Sequence, residues 1–286
     1  MLNCAWFTSE VDMTINNSII FFMNANLYGL SNLTIDSYCS MFTRLKRLVD
    51  FTQSVSHLTT QLVLSFIYEE GLKANTSLKR YIMIRRYVKF LVQSRKIDRD
   101  PLENSPAPKD NFEIGAILSH EQIQSLESAL NEPYKSAFHL YLYLGIRAGG
   151  LLRNKSDNWK PMIYDAQTDR MRIFMSKVNR YLYLPVPQNH GIKEILLAHK
   201  NEQGEILFDV SSYQFYEVLK TTASSLGFQA TVQMLRRTFG TQITTATGNL
   251  AITAGLMGHK NIATTYKYYA HVLDADKRQA LDALTY

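Results

Sequence analysis

Between Asp98 and Asn111 this 286-residue chain gathers three of its seven prolines, Pro101, Pro106 and Pro108, among polar residues. Proline lacks a backbone N–H and drives the residue before it out of the helical region, so no helix or central strand runs through such a stretch. It reads as an extended linker over 101–111 that divides the chain into a first domain, 1–100, and a second, 112–286. Both halves fall within ordinary domain size. A hydrophobic content of 46% lets each build a core.

Before the linker, apolar residues recur with helical period in Ser31–Thr52, His57–Glu70 and Ser77–Lys96, and more weakly near Ile15–Leu27. The stretch from Lys79 to Arg99 holds eight basic residues and a single acid, Asp98. On a helix, Lys79, Arg85, Arg86, Lys89 and Lys96 share one side, while Tyr81, Ile84, Val88, Leu91 and Val92 share the other. That segregation suits a helix seated on a core with its cations turned to a nucleic-acid backbone. A net charge of +6 is consistent with a polyanionic partner.

After the linker, Ser119-His-Glu-Gln122 has the form of a capping box opening a helix through Leu130, and a second helix is expected over Tyr134–Leu144. Arg170–Met175 and Tyr181–Val186 read as two strands joined by Ser176–Arg180, with Asn179 suited to a turn. From Ser211 onward the pattern is helical, with breaks at Gly227, Gly248 and Gly258. The fold class expected is mainly α with a small antiparallel sheet: a helical domain, then an α+β domain.

Several negative observations narrow the function. There is no HExxH, GxxxxGK[ST] or GxGxxG motif, and the seven histidines are scattered, so neither a metal nor a nucleotide cofactor is expected. Cys4 and Cys39 lack any pairing or zinc spacing and are expected to be reduced thiols of a cytoplasmic protein. No apolar stretch is long enough to span a membrane, and Met1–Met13 lacks a basic leader.

What remains is a set of cations and tyrosines in the second half. Arg147 follows an apolar helix and Gly145. Lys177 lies between the two expected strands, and Arg180 beside it. Gln233 and Arg236 stand three apart, on one face of a helix. His259 follows Gly258, and Tyr266, Tyr268 and Tyr269 come seven to ten positions later. Two guanidinium forks can grip the non-bridging oxygens of a phosphodiester while a phenol attacks it.

These strings resemble the tyrosine recombinases, or phage integrase family. Gly145-Ile-Arg147-Ala-Gly-Gly150-Leu matches the family's Gly-x-Arg-x-x-Glu-Leu, with Gly150 where the family places an acid. Ser176-Lys177 through Pro185 follows its hairpin lysine pattern. Gln233-Met-Leu-Arg236 matches His-x-x-Arg, with glutamine in place of histidine. Met257-Gly-His259-Lys-Asn-Ile-Ala-Thr-Thr matches its histidine segment. The family's nucleophile follows this histidine by nine or ten positions, which points to Tyr268 or Tyr269. Thr264-Thr265-Tyr-Lys-Tyr-Tyr269-Ala-His271 fits the ten-position form at both ends, which favours Tyr269.

The resemblance implies a site-specific recombinase that cuts and rejoins double-stranded DNA through a 3′-phosphotyrosine. Arg147, Lys177, Gln233, Arg236, His259 and Tyr269 would form the catalytic set, and Lys79, Arg85, Arg86, Lys89, Lys96 and Arg180 would contact DNA. It also implies a homotetramer on DNA, with an accessory DNA-bending protein as a further possible partner. Ile97-x-x-x-Pro101 before the linker is similar to the end of the family's core-binding domain. The segment Asp274–Tyr286, with Ala280, Leu281 and Leu284 on one helical stripe, suits docking on a neighbouring protomer or on its own domain. The alternatives are type IB topoisomerase chemistry and a non-catalytic DNA-binding descendant.

Overall fold

In the computed structural model, which describes residues 13–154 and 158–273 apart from the side chain of Lys177, the chain forms two compact units, Met1–Glu113 and Ile114–Tyr286. Cys4 and the segment Asp274–Tyr286 lie outside the described residues. Cys39 is a free, exposed thiol. No helix among the described residues is long and apolar enough to cross a membrane.

The first unit is helical: α1 (Ile15–Asn26), α2 (Asn32–Leu45), α3 (Thr60–Ile67) and α4 (Ala74–Gln93). The hydroxyls of Thr14, Ser31 and Thr59 each accept a backbone N–H of the first turn of α1, α2 and α3, which satisfies donors a helix start leaves unpaired. Phe22, Phe42 and Tyr87 meet edge to face at its centre, with centroids 5.1 to 6.1 Å apart. Leu102 is fully buried in the same core. The start of the proline-rich stretch is therefore packed on this unit. Tyr81 donates to the Ser105 carbonyl at 3.2 Å and Asn75 to the Asn111 carbonyl at 3.1 Å.

Helix α4 departs from the expected cationic face in two places. It ends at Gln93, because Arg95 turns left-handed (φ +53°) and the Lys96 N–H returns to the Leu91 carbonyl. Lys96 therefore lies beyond the helix. Arg85 is half-buried, and its Nη1 donates to the Tyr81 hydroxyl at 2.8 Å and the Leu102 carbonyl at 2.9 Å. Its guanidinium pins the proline-rich stretch rather than standing free on the face. Lys79, Arg86 and Lys89 are exposed as expected, with Ile82, 59% exposed, between them.

The second unit comprises α5 (His120–Ala129), α6 (Tyr134–Leu144), β1 (Met162–Asp165), β2 (Arg170–Met175), β3 (Arg180–Pro185), α7 (Ile192–His199), β4 (Glu205–Ile206), α8 (Ser212–Ser225), α9 (Val232–Thr247), α10 (Leu250–Leu256) and α11 (Ile262–Tyr269). The Ser119–Gln122 capping box forms with both reciprocal bonds. The sheet is antiparallel, in the order β3-β2-β1-β4. Two of its strands, β1 and β4, and helix α7 were not among the elements expected. A single 3-10 turn, Ser176–Val178, joins β2 to β3, and Asn179 closes it with φ +48°. Helices α6 and α9 lie against each other around Phe138, Leu142 and Leu235, all buried in one core.

Candidate active site

Gly145 caps α6 in the left-handed conformation (φ +58°), and a Cβ there would lie 2.2 Å from the Phe239 ring. Only glycine satisfies both demands. The helix thus stops short, and Arg147 emerges two residues later from a buried segment. Arg147 Nη1 donates to Met175 Sδ at 3.3 Å. At Gly150 an added Cβ would stand 2.7 Å from Ile146 Cγ2, so the place of the family's acid is filled by the neighbouring isoleucine. A thioether at the end of β2 holds this arginine instead.

Arg236, on α9, joins two other segments, the end of α6 and the turn after α10. Its Nη1 donates to the Gly145 carbonyl, and its Nη2 donates to the Met257 carbonyl at 2.7 Å and faces His259 Nε2 at 3.2 Å. These contacts occupy three of the five N–H groups a guanidinium carries, leaving two for a ligand. His259 Nδ1 is 2.7 Å from Thr265 Oγ1. Gly258, left-handed at φ +63°, turns the chain from α10 toward α11, and Met175 Sδ fills the space a side chain there would need.

Tyr269 ends α11 and is only 4% exposed. Its phenol lies on Gly240, where an added Cβ would come within 2.6 Å of the hydroxyl. Gly240 is one turn beyond Arg236 on the same face of α9, so the bare glycine seats the phenol beside that arginine. Tyr268 is half-buried and Tyr266 is 65% exposed. Gln233 is exposed one turn before Arg236.

The electrostatics bind these groups into one site. Burial, and then the charge of Arg180, lowers the Arg147 guanidinium from its ordinary value. Burial and then Arg147 bring Arg236 down to about 10, with Tyr269 acting in the opposite direction. Burial, Arg236 and Arg147, in that order, hold His259 down at about 4, so the imidazole is neutral near pH 7. Burial raises the Tyr269 phenol, while Arg236 and then Arg237 pull it back. Among the described residues no carboxylate forms an ion pair with Arg147 or Arg236. Partly buried cations without a counter-charge make a preformed anion receptor.

Five of the expected residues, Arg147, Arg180, Arg236, His259 and Tyr269, thus act on one another. Lys177 lies in the turn between β2 and β3, and its side chain is outside the described residues. Sequence reading missed Met175, Thr265 and Gly240. Thr265 carried a signal, since it precedes Tyr269 by four residues on a helix. Met175 and Gly240 act through contacts between elements that no local pattern announces. Among the described residues no cluster of histidine, cysteine or carboxylate side chains could hold a metal ion.

Residues 116–276 match the family model described as the phage integrase family. The chain is 24% identical to tyrosine recombinase XerC of Syntrophus aciditrophicus over 76% of each chain. It is 24% identical to tyrosine recombinase XerD of Oceanobacillus iheyensis over 86% of this chain and 90% of that one. In fold it is similar to lambda integrase in a tetramer bound to a Holliday junction, with a TM-score of 0.75, 16% identity and coverage of 91% and 78%. It is also similar to the Tn1549 transposon integrase in complex with a circular intermediate DNA, with a TM-score of 0.71, 15% identity and coverage of 95% and 100%.

Proposed function

The chain belongs to the phage integrase family, the tyrosine recombinases that perform site-specific recombination of DNA, and on that premise we propose how its own residues carry out strand cleavage. Arg147 and Arg236 bind the two non-bridging oxygens of the scissile phosphodiester. Tyr269 Oη attacks phosphorus: the Oη–P bond forms, the P–O5′ bond breaks, and the strand is held as a 3′-phosphotyrosine. The phenol proton leaves to a base in the site, and Lys177 supplies the proton that makes the departing oxygen a 5′-hydroxyl. Gln233 donates a hydrogen bond to the phosphate. Charge builds on the non-bridging oxygens in the pentacovalent transition state, so fixed guanidiniums stabilise it more than the ground state. One ester replaces another, and the bond energy is kept for rejoining.

The observation that carries this reading is the clustering of Arg147, Arg236, His259 and Tyr269, drawn from four separate segments, around two cations with no carboxylate of their own among the described residues. Lys79, Arg86, Lys89 and Arg180 supply contacts to the DNA backbone. Recombination joins two duplexes, so four protomers act together, as in the lambda integrase tetramer on its junction. An accessory DNA-bending protein would serve that assembly.

The test uses nicked suicide duplexes carrying randomised half-sites, with protein–DNA adducts captured in detergent and sequenced. The wild-type chain is expected to yield adducts that share a sequence, and Tyr269→Phe to yield none while still binding that DNA. Adducts retained by Tyr269→Phe but lost in Tyr268→Phe would move the nucleophile by one residue.

A further inference from the structure

The hydrogen bonds around His259 fix its tautomer. Its Nε2 faces Arg236 Nη2 at 3.2 Å, and a guanidinium N–H only donates. Nε2 must therefore offer its lone pair. In a neutral imidazole the other nitrogen then carries the proton, and that nitrogen, Nδ1, is 2.7 Å from the Thr265 hydroxyl oxygen. Thr265 is fully buried, so no solvent stands ready to replace it. It is also four residues before Tyr269 on α11, and both side chains lie on the inner face of that helix. A bond to Nδ1 thus ties the histidine to the helix bearing the phenol.

We propose that Thr265 is a positioning residue that locks His259 in its Nδ1–H form, so that the active-site imidazole presents a proton acceptor, not a donor, toward the arginines. The proposal rests on reading this cluster as the recombinase active site and deepens it. Gln233 stands where a histidine would otherwise serve, and an amide cannot take up a proton. His259 is then the imidazole of the cluster, and its Nε2 lone pair accepts the Arg236 N–H, steadying that guanidinium for the phosphate. Without Thr265 a buried Nδ1–H loses its partner. The alternative tautomer would set an N–H against the Arg236 N–H, so the ring would have to move.

Long-range proton–nitrogen spectra of the full-length protein labelled at histidine nitrogen read the tautomer directly, with His259 assigned from the spectrum of His259→Gln. A protonated Nδ1 and a bare Nε2 are expected in the wild type and in Thr265→Ser, and loss of that preference in Thr265→Val, which matches threonine in shape but has no hydroxyl. Adduct formation on the selected suicide duplex is expected to slow on the order of tenfold in Thr265→Val, the loss of one hydrogen bond to a charged group, and to recover in Thr265→Ser, with DNA affinity unchanged. A wild-type His259 protonated at Nε2 would overturn the proposal, even if no variant folded. So would a folded Thr265→Val with wild-type tautomer and rate, or a Thr265→Ser as slow as the valine. Failure of the underlying recombinase reading looks different: the wild type itself would give no adduct, whatever its tautomer.

Discussion

At the scale of single residues, two guanidiniums, a neutral imidazole and a buried phenol share one site, and each modifies the others. His259 is the clearest case. Its ordinary value near 6.5 falls to about 4 in the folded chain, so between those pH values the unfolded chain binds more protons than the folded one. Stability must then fall as pH drops from about 6.5 toward about 4. The slope of melting temperature against pH is expected to be shallower in His259→Gln over that window, and identical slopes would show that the imidazole is not held neutral. Gln233 offers a different test. It is exposed beside Arg236, so a histidine fits there, and acid–base help is typically worth about a hundredfold or more. Gln233→His is expected to form adduct at least as fast as wild type; a large loss would mean that the amide itself orients the phosphate. Arg147, Arg236, His259 and Tyr269 were legible in sequence because each lies in a short string whose order matches a family. Met175 and Gly240 were not assigned, because their roles are contacts made to other segments. Nothing in Arg170–Met175 says that a thioether will meet an arginine 28 residues earlier.

At the scale of elements, legibility followed length and local chemistry. The Ser119 capping box, the Tyr134–Leu144 helix and the β2–β3 hairpin carry their own signals, and each formed within a residue or so of expectation. Strands β1 and β4 have four and two residues, too few for an alternating pattern, and they exist through pairing with distant partners. The end of α4 was hidden for another reason: Arg95, a non-glycine, takes the left-handed position where glycine would have marked a stop. The consequence is a division of labour within one basic stretch. Arg85, bonded to the Leu102 carbonyl and the Tyr81 hydroxyl, holds the proline-rich segment, and Arg80 is buried against the Phe66 carbonyl and Glu69. Lys79, Arg86 and Lys89 remain exposed. Arg85→Met is expected to lower unfolding stability by about 1.5–3 kcal/mol, the worth of hydrogen bonds to a charged group, with little change in the salt dependence of DNA binding. Exchanging Lys79, Arg86 and Lys89 together for glutamine should cost little stability, the Arg86 bond to the Asn26 carbonyl at 3.1 Å being exposed to solvent. It should also reduce the slope of log affinity against log salt by about 2.7, at roughly 0.9 per phosphate contact. Titrations in 50 to 200 mM salt separate the two, and an unaltered slope in the triple variant would mark α4 as a merely solvated face.

At the scale of the whole molecule, the two-part organisation was legible because prolines interrupt helical periodicity, whereas the burial of Leu102 in the first core was not, since it depends on what the linker packs against. The larger question is which chain supplies the phenol when several protomers share one DNA. Each of Arg147, Arg236, His259 and Tyr269 lies in Ile114–Tyr286 of a single chain. The Tyr269 phenol rests on Gly240 of that same chain, one turn from Arg236. Moving it to a neighbour's site would vacate a contact that only glycine permits and leave a buried aromatic without its seat. Cleavage in cis is therefore expected. Strand exchange needs four such sites on two duplexes, but breaking one strand needs one. Mixing two inactive chains, Tyr269→Phe and Arg236→Ala, on the same suicide duplex distinguishes the cases. If each chain attacks with its own tyrosine, neither variant repairs the other and no adduct forms at any ratio. If the tyrosine is donated across the assembly, an Arg236→Ala chain can lend its phenol to a Tyr269→Phe chain with intact arginines. Adduct should then return, most strongly near equal amounts. Adduct carrying only the Arg236→Ala chain would show that Tyr269 leaves Gly240 on DNA.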